Sequence, residues 1–207
     1  MAINSTLTNI INDVYILTKR PQAVDRTKFA VKNATLKLHT RDFFPKDFFE
    51  TGIQFPSASY TLQFAPKSIV PLFRAPSYLR KSDSSSGLGP FLDYMDPREA
   101  IDGYGYDKTD AYYMAGTNIN INSSTALQYL IFGCYVYPNI TDGYYASWIA
   151  DELPYLLTVE AALKFALETG NTTLAKGLQL ELEGPPGQPE AGLYSQLTSQ
   201  VIANPPD

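Results

Sequence analysis

A nucleophile and a general base are the scarcest reagents in this chain: His39 is its only histidine and Cys134 its only cysteine. Nucleophilic catalysis would set Cys134, or a serine, beside His39. The surroundings of both argue otherwise. His39 falls at the end of a helical segment, where an imidazole can hydrogen-bond the last free carbonyls. Cys134 lies in Leu130-Ile131-Phe132-Gly133-Cys134-Tyr135-Val136, the setting of a buried packing thiol. A metal site on one His and one Cys would need carboxylates at helical spacing, but Asp151, Glu152, Glu160 and Glu168 read as solvated helix faces. Asp42 and Asp47 flank a phenylalanine cluster at a spacing that fixes no chemistry, and no carboxylate pair stands out for glycoside hydrolysis. Gly103-Tyr104-Gly105-Tyr106 lacks the third glycine, the following helix and the Lys-Ser/Thr pair of a phosphate-binding loop, and reads as a tyrosine-bearing turn. The expectation is a protein without catalytic residues, cofactor or metal.

Charge narrows the partners. Sixteen Lys and Arg stand against 21 Asp and Glu, a net charge of −5, and a protein that grips nucleic acid normally shows a basic stripe. The nearest approach, Lys19-Arg20 with Arg26, Lys28, Lys32 and Lys37, reads as a solvated helix face. A single cysteine excludes an intramolecular disulfide. The opening residues lack the pattern of a signal peptide, and no apolar run approaches the ~18 residues of a membrane span. A reducing, aqueous compartment is expected, in which Asn-x-Ser/Thr triplets carry no glycan. Fifteen Tyr and eleven Phe accompany one Trp. Stiff, two-faced tyrosines suit contact surfaces, although a tyrosine-rich β-sheet surface accounts for them equally well.

Hydrophobic spacing predicts the elements that would position these residues. Leu7, Ile10, Ile11, Val14 and Leu17 mark an amphipathic helix over residues 6–18, and a second runs from Pro21 or Asp25 to His39. So short a link predicts an antiparallel pair. Beyond Arg41 the period changes to two, with strands at Ile53/Phe55 and Tyr60/Leu62/Phe64. Ser82 to Gly89 reads as a mobile surface loop. Further strands are expected at residues 91–95, 111–115 and 117–122. The apolar run 127–137 reads as a central strand buried on both faces. Helical spacing returns at Ser147, breaks at Pro154, continues to a stop at Gly170 and resumes from an Asn171 cap. Gly184-Pro185-Pro186-Gly187-Gln188-Pro189 reads as a stiff linker. Beyond it lie Leu193, Leu197 and Val201 at i, i+4, i+8, on a segment that gains order only against a partner. The expected fold is α+β. An N-terminal antiparallel helical hairpin packs with C-terminal helices (1–46 and 141–183), a β-rich insert (47–140) lies between them, and an extended tail (184–207) follows.

Several phrases, in this order, carry a family resemblance: Val14-Tyr15-Ile16-Leu17-Thr18-Lys19-Arg20-Pro21, then Ala30 to His39, then Asp42-Phe43-Phe44-Pro45-Lys46-Asp47. Leu79-Arg80-Lys81, Tyr112-Tyr113-Met114-Ala115-Gly116 and Leu127-Gln128-Tyr129 follow. Trp148-Ile149-Ala150-Asp151-Glu152-Leu153-Pro154-Tyr155 then leads into an Ala161-Ala162 helix. Over residues 5–182 the chain resembles the head-to-tail adaptor (connector) proteins of tailed bacteriophages. The resemblance implies a virion neck protein, assembled in the host cytoplasm as a ring, commonly of twelve subunits, beneath the portal. DNA passes through without specific binding, the lower face meets a tail or nozzle protein, and no membrane is involved. It also implies that the C-terminal segment docks on the portal, a role that maps here to Leu193, Tyr194, Leu197, Val201 and Ile202. The large β insert departs from the smallest, nearly all-helical adaptors. An acidic chain suits a conduit that must not hold DNA, so carboxylates should outnumber Lys and Arg on the channel face. The rival reading is a tyrosine-rich receptor- or glycan-binding tail module.

Overall fold

A computed structural model describes residues 5–84, 87–101 and 109–202. The Gly103–Tyr106 turn of the sequence reading lies outside these residues. The chain is mixed α+β, with helices flanking a β-rich middle, and it divides into two compact units: Met1–Asp47 with Tyr137–Asp207, and Phe48–Val136.

The first unit is helical. It comprises α1 (Ser5–Thr18), α2 (Val24–Thr40), a 3-10 turn at Pro45–Asp47, and, after the β region, α5 (Trp148–Glu152), α6 (Pro154–Glu168), α7 (Thr172–Glu183) and α8 (Tyr194–Ile202). Its organiser is α6. From Leu156 to Leu163 every residue is buried, because the sequence Leu156-Leu157-Thr158-Val159-Glu160-Ala161-Ala162-Leu163 is apolar nearly all round and surrounds itself with α1, α2, α5 and α7. Small alanines let the neighbouring helices approach, while Leu7, Ile10, Ile11 and Val14 of α1 and Val31, Ala34 and Leu38 of α2 complete the core. Each large aliphatic side chain so buried contributes about 1.5–3 kcal/mol. Gly170, at φ +69°, ends α6 as its position predicts, and Asn171 Oδ1 caps α7 by accepting from Leu174 N at 3.2 Å.

The C-terminal segment is not a free arm. After a 3-10 turn at Pro189–Ala191, Leu193 N donates to Glu181 O at 3.0 Å and α8 folds back onto the bundle. Leu197 is 1% exposed within the core, and Leu193, Tyr194 and Val201 pack against it. The apolar stripe reserved for a partner is covered by this chain's own helices. Of the tail residues singled out from the sequence, Ile202 has a side chain outside the described set.

The second unit is a curled sheet: β1 (Phe48–Phe64), β2 (Phe73–Ser84), β3 (Gly87–Tyr94), β4 (Ala111–Ala115) and β5 (Asn118–Val136), with two short helices, α3 (Pro66–Ile69) and α4 (Pro97–Ile101), in its connections. The 19-residue β5 pairs along one edge with β1, and along the other with β4 (118–122) and then β2 (129–136). Because β3 joins β2 to β4, the circuit β5–β4–β3–β2–β5 closes on itself. Its inner face holds Leu79, Leu92, Ile119, Ile121, Leu130, Phe132 and Cys134. Cys134 is fully buried, and desolvation pushes its thiol up to about 11.

Three strand expectations are corrected. Two short strands before residue 65 are one long strand, with a register break between Gln54 and Ser59 around Pro56. Of the supposed loop at 82–89, residues 82–84 continue β2 and residues 87–89 belong to β3, with Ser82 opposite Leu88 and Ser82 Oγ donating to Gly87 O at 2.6 Å. The run 127–137 is buried on one face only. Tyr129, Ile131 and Tyr135 stay half-exposed on the other, where Gly133 admits the ring of Tyr78. A Cβ at Gly133 would lie 2.6 Å from that ring. Gly133→Ala should therefore destabilise the chain by about 1–3 kcal/mol through overpacking. In chemical denaturation, adding Tyr78→Ala should remove most of that penalty.

Candidate functional site

The end of α2 and the start of α5 each supply a polar residue to an otherwise apolar core, and Asp47, from the 3-10 turn, supplies the third. His39 Nδ1 lies 2.8 Å from Asp47 Oδ1, and His39 Nε2 lies 2.9 Å from Ser147 Oγ. Trp148 Nε1 donates to the same Asp47 oxygen at 2.8 Å, and the indole meets His39 and Phe44 edge to face. Tyr145 extends the cluster to Thr35, its hydroxyl 2.7 Å from Thr35 Oγ1, and burial raises its pKa above the ordinary phenol value.

Serine, histidine and aspartate in this order are the elements of an acyl-transfer triad. Two features set this one to other work. Ser147 is the N-cap of α5, and its Oγ accepts from Ala150 N at 3.3 Å. His39, Asp47 and Ser147 are 1%, 3% and 5% exposed, whereas a reacting carbonyl must approach within about 3 Å of the nucleophile and its oxyanion donors. The cluster joins α2, the 3-10 turn and α5, and its hydrogen bonds satisfy buried polar groups that the core would otherwise strand, with Asp47 Oδ2 left without a partner among the described residues.

The sequence reading missed it. His39 does not turn back to its own helix carbonyls, because both ring nitrogens face Asp47 and Ser147. Asp47, whose spacing fixes nothing in sequence, is the carboxylate between histidine and tryptophan. The legible signal was weak: the only His, the only Trp and an Asp beside a phenylalanine cluster, none of them at a helical or strand spacing from the others. Cys134, read from the sequence as a buried packing thiol and not as a partner for His39, lies in the inner face of the sheet unit.

A second cluster corrects the reading of Glu160 as solvated. Glu160 is 3% exposed on α6, takes Lys37 Nζ at 2.5 Å and accepts the Tyr194 hydroxyl. Arg41 stacks 3.6 Å over the Tyr194 ring. Desolvation, reinforced by Glu160, holds the Tyr194 hydroxyl protonated far above the usual tyrosine range. Lys46 adds contacts to Glu152 and Gln200. Two basic residues of α2 are likewise employed: Lys28 and Lys32 each pair with Asp142 at 2.5 Å, holding its carboxyl below the usual range. Asp151, Glu152 and Glu168 are exposed, as expected.

In the sheet unit, Asp110 gathers Lys81, the Ser124 backbone N–H and the hydroxyls of Ser123 and Ser124 where β5 passes from β4 to β2. The outer face carries an aromatic row across four strands. Phe48 stacks on Tyr78, Phe48 and Tyr135 meet edge to face, and Tyr78 does the same with Phe91. Arg80 sits 4.9 Å over Phe91, and the Tyr78 hydroxyl donates to Glu50. Among the described residues no group of three His, Cys, Asp or Glu is placed to hold a metal ion, and no helix is long and apolar enough to cross a membrane.

The polar clusters yield two expectations. His39→Ala strands buried Asp47 and should cost on the order of 3 kcal/mol, against about 1 kcal/mol for Ser147→Ala as a lost cap, both read from urea unfolding. A serine-directed fluorophosphonate should leave Ser147 unlabelled. The Lys81 hydrogen bond, then that from Ser124 N, depresses the Asp110 pKa well below its ordinary value. Its stabilisation is present above the unfolded pKa and is lost as pH falls through a window below about 4. The aspartate is 37% exposed, so screening keeps the effect modest. Thermal stability of Asp110→Asn should fall less steeply than wild type on acidification below about pH 4.

No protein-family model matches the chain, and no curated protein matches it.

Proposed function

We propose that this chain is a structural head-to-tail adaptor of a tailed-bacteriophage virion, a non-catalytic protein that works as a ring between portal and tail and lets DNA pass. One observation carries the reading. Three of the phrases on which the resemblance rests, ending at His39, ending at Asp47 and beginning at Trp148, are held together by hydrogen bonds in one buried cluster. A likeness confined to composition would have no reason to converge on a single architectural joint more than one hundred residues apart in sequence. Several ionisable groups, Asp47, Glu160, Asp142 and Asp110 among them, are tied into internal contacts, while a set of large apolar side chains faces outward. Ile16, Phe29, Leu167 and Leu180 do so on the helical unit, and Tyr60, Leu88, Phe91 and Tyr94 on the sheet unit. Surfaces of this kind are completed by other polypeptides.

In this reading the helices form the ring wall, with α1 and α2 as an antiparallel hairpin. The sheet is the tail-side element, and the net charge of −5 suits an unsticky conduit. Portal docking by Leu193, Tyr194, Leu197 and Val201 requires α8 to leave the bundle first, since those side chains are engaged within the chain. One observation favours the second reading, a receptor- or glycan-binding tail module: the partly exposed aromatic row Phe48, Tyr135, Tyr78 and Phe91, with Arg80 and Glu50 at hand.

Mixing the purified chain with the portal of the same phage separates the two. The expected outcome is a stoichiometric ring on the portal, seen by native mass measurement or electron microscopy, with carboxylates exceeding Lys and Arg around its lumen. A chain that ignores the portal and shows saturable binding to host-surface glycan would overturn the adaptor reading.

A further inference from the structure

Between the second half of α1 and the first turn of α6 lies a groove of about 340 Å³, lined by Asp13, Ile16, Leu17, Pro154, Tyr155 and Thr158. Its walls are apolar and open to solvent: Ile16 is 73% exposed and Tyr155 51%. Two polar features interrupt them. Asp13, exposed at the rim, has no ion pair among the described residues. Thr158, 1% exposed, has a hydroxyl oxygen with no hydrogen-bond partner. A buried hydroxyl left unmatched is destabilising, so a matching occupant combines an apolar body with a cationic donor.

The helical unit presents such a feature elsewhere. Phe29 of α2 is 58% exposed, and Lys164 of α6 holds its ammonium 5.4 Å from the centre of that ring. Lys164 makes no ion pair among the described residues. Within one chain this pair does not reach the groove. Lys164 lies nine residues along α6 from Tyr155, roughly 13 Å at the helical rise, and its ammonium is directed to the Phe29 ring.

We infer that these are the two halves of one contact between copies of this chain: the Phe29 ring of one copy packs on Ile16 and Tyr155 of the next, and its Lys164 ammonium meets Asp13 and the Thr158 hydroxyl. This deepens, and rests on, the assembly reading above. The complementarity is of charge as well as apolar character, a carboxylate without an ion pair at the groove against an ammonium without one at the knob. Because knob and groove are different patches, the contact is heterologous, the kind that propagates into a closed ring when the rotation allows.

Single-cysteine crosslinking tests it. Ile16→Cys and Phe29→Cys both alter exposed side chains, and native Cys134 is fully buried, so a short bis-maleimide reports only the new thiols. With and without portal, the mixture of the two variants should yield covalent dimers that neither variant gives alone. Dimers from each variant alone, the mark of an isologous patch, overturn the inference, as does their absence from the mixture under both conditions. Asp13→Lys and Lys164→Glu should each reduce the yield by roughly fivefold, the scale of an exposed ion pair. Reversing the pair, by mixing one chain bearing each change on the matching partner, should restore it. Crosslinking that survives in a chain indifferent to the portal removes the adaptor reading and leaves the contact. Portal docking without the crosslink removes the contact alone.

Discussion

The helical unit depends on keeping a few polar groups satisfied where water does not reach. Asp47 is the last residue before the sheet begins, and Ser147 opens the first helix after the sheet has ended. His39 stands between their side chains at hydrogen-bonding distance from both. An apolar triplet of the same volume could fill the space, but it would not specify which turn of which segment meets which. Hydrogen bonds have direction and cost free energy when unmade. The departure and the return of the chain are thereby fixed to one another within the unit, and α6 is laid down across them.

The same economy recurs at Glu160. A carboxylate in the middle of the most buried helix is costly unless paired. Here Lys37 from α2 and Tyr194 from α8 supply the partners, so one charge ties the N-terminal and C-terminal segments to the central helix. Asp110 plays a comparable part in the sheet unit, at the place where β5 exchanges one neighbour for another. In each case the chemistry that might have served a substrate is consumed in joining elements. Large aliphatic and aromatic side chains stand among the charged ones on the outward faces.

How much of this was legible follows from where the information resides. Helix limits were readable because they are set locally: Gly170 stops α6 and Asn171 caps α7 by contacts within four residues. The α+β order was readable because spacing changes from helical to alternating at Phe48. What failed was every feature decided across the chain. Ser82 and Gly89 look like a loop in isolation but are held in a ladder by β5 and by each other's strand. Glu160 looks solvated until α2 and α8 close over it. The tail looks tethered and free because prolines say nothing about where Leu197 will come to rest. The His39 cluster was illegible for the same reason: its members are eight and 108 residues apart along the chain, and no period connects them.

The partner exchange along β5 also bears on how the sheet survives alone. By closing β2, β3 and β4 into a circuit, it leaves β1, among the described residues, as the strand with one long side unbonded. Such a side invites another extended chain to add itself. Pro56 falls in the middle of β1, within the stretch where its pairing with β5 is already interrupted, and proline offers no amide hydrogen to an incoming strand. Any intruder would find two short templates rather than one seventeen-residue template. The sheet unit is thus guarded against fibrous self-association at its most vulnerable margin.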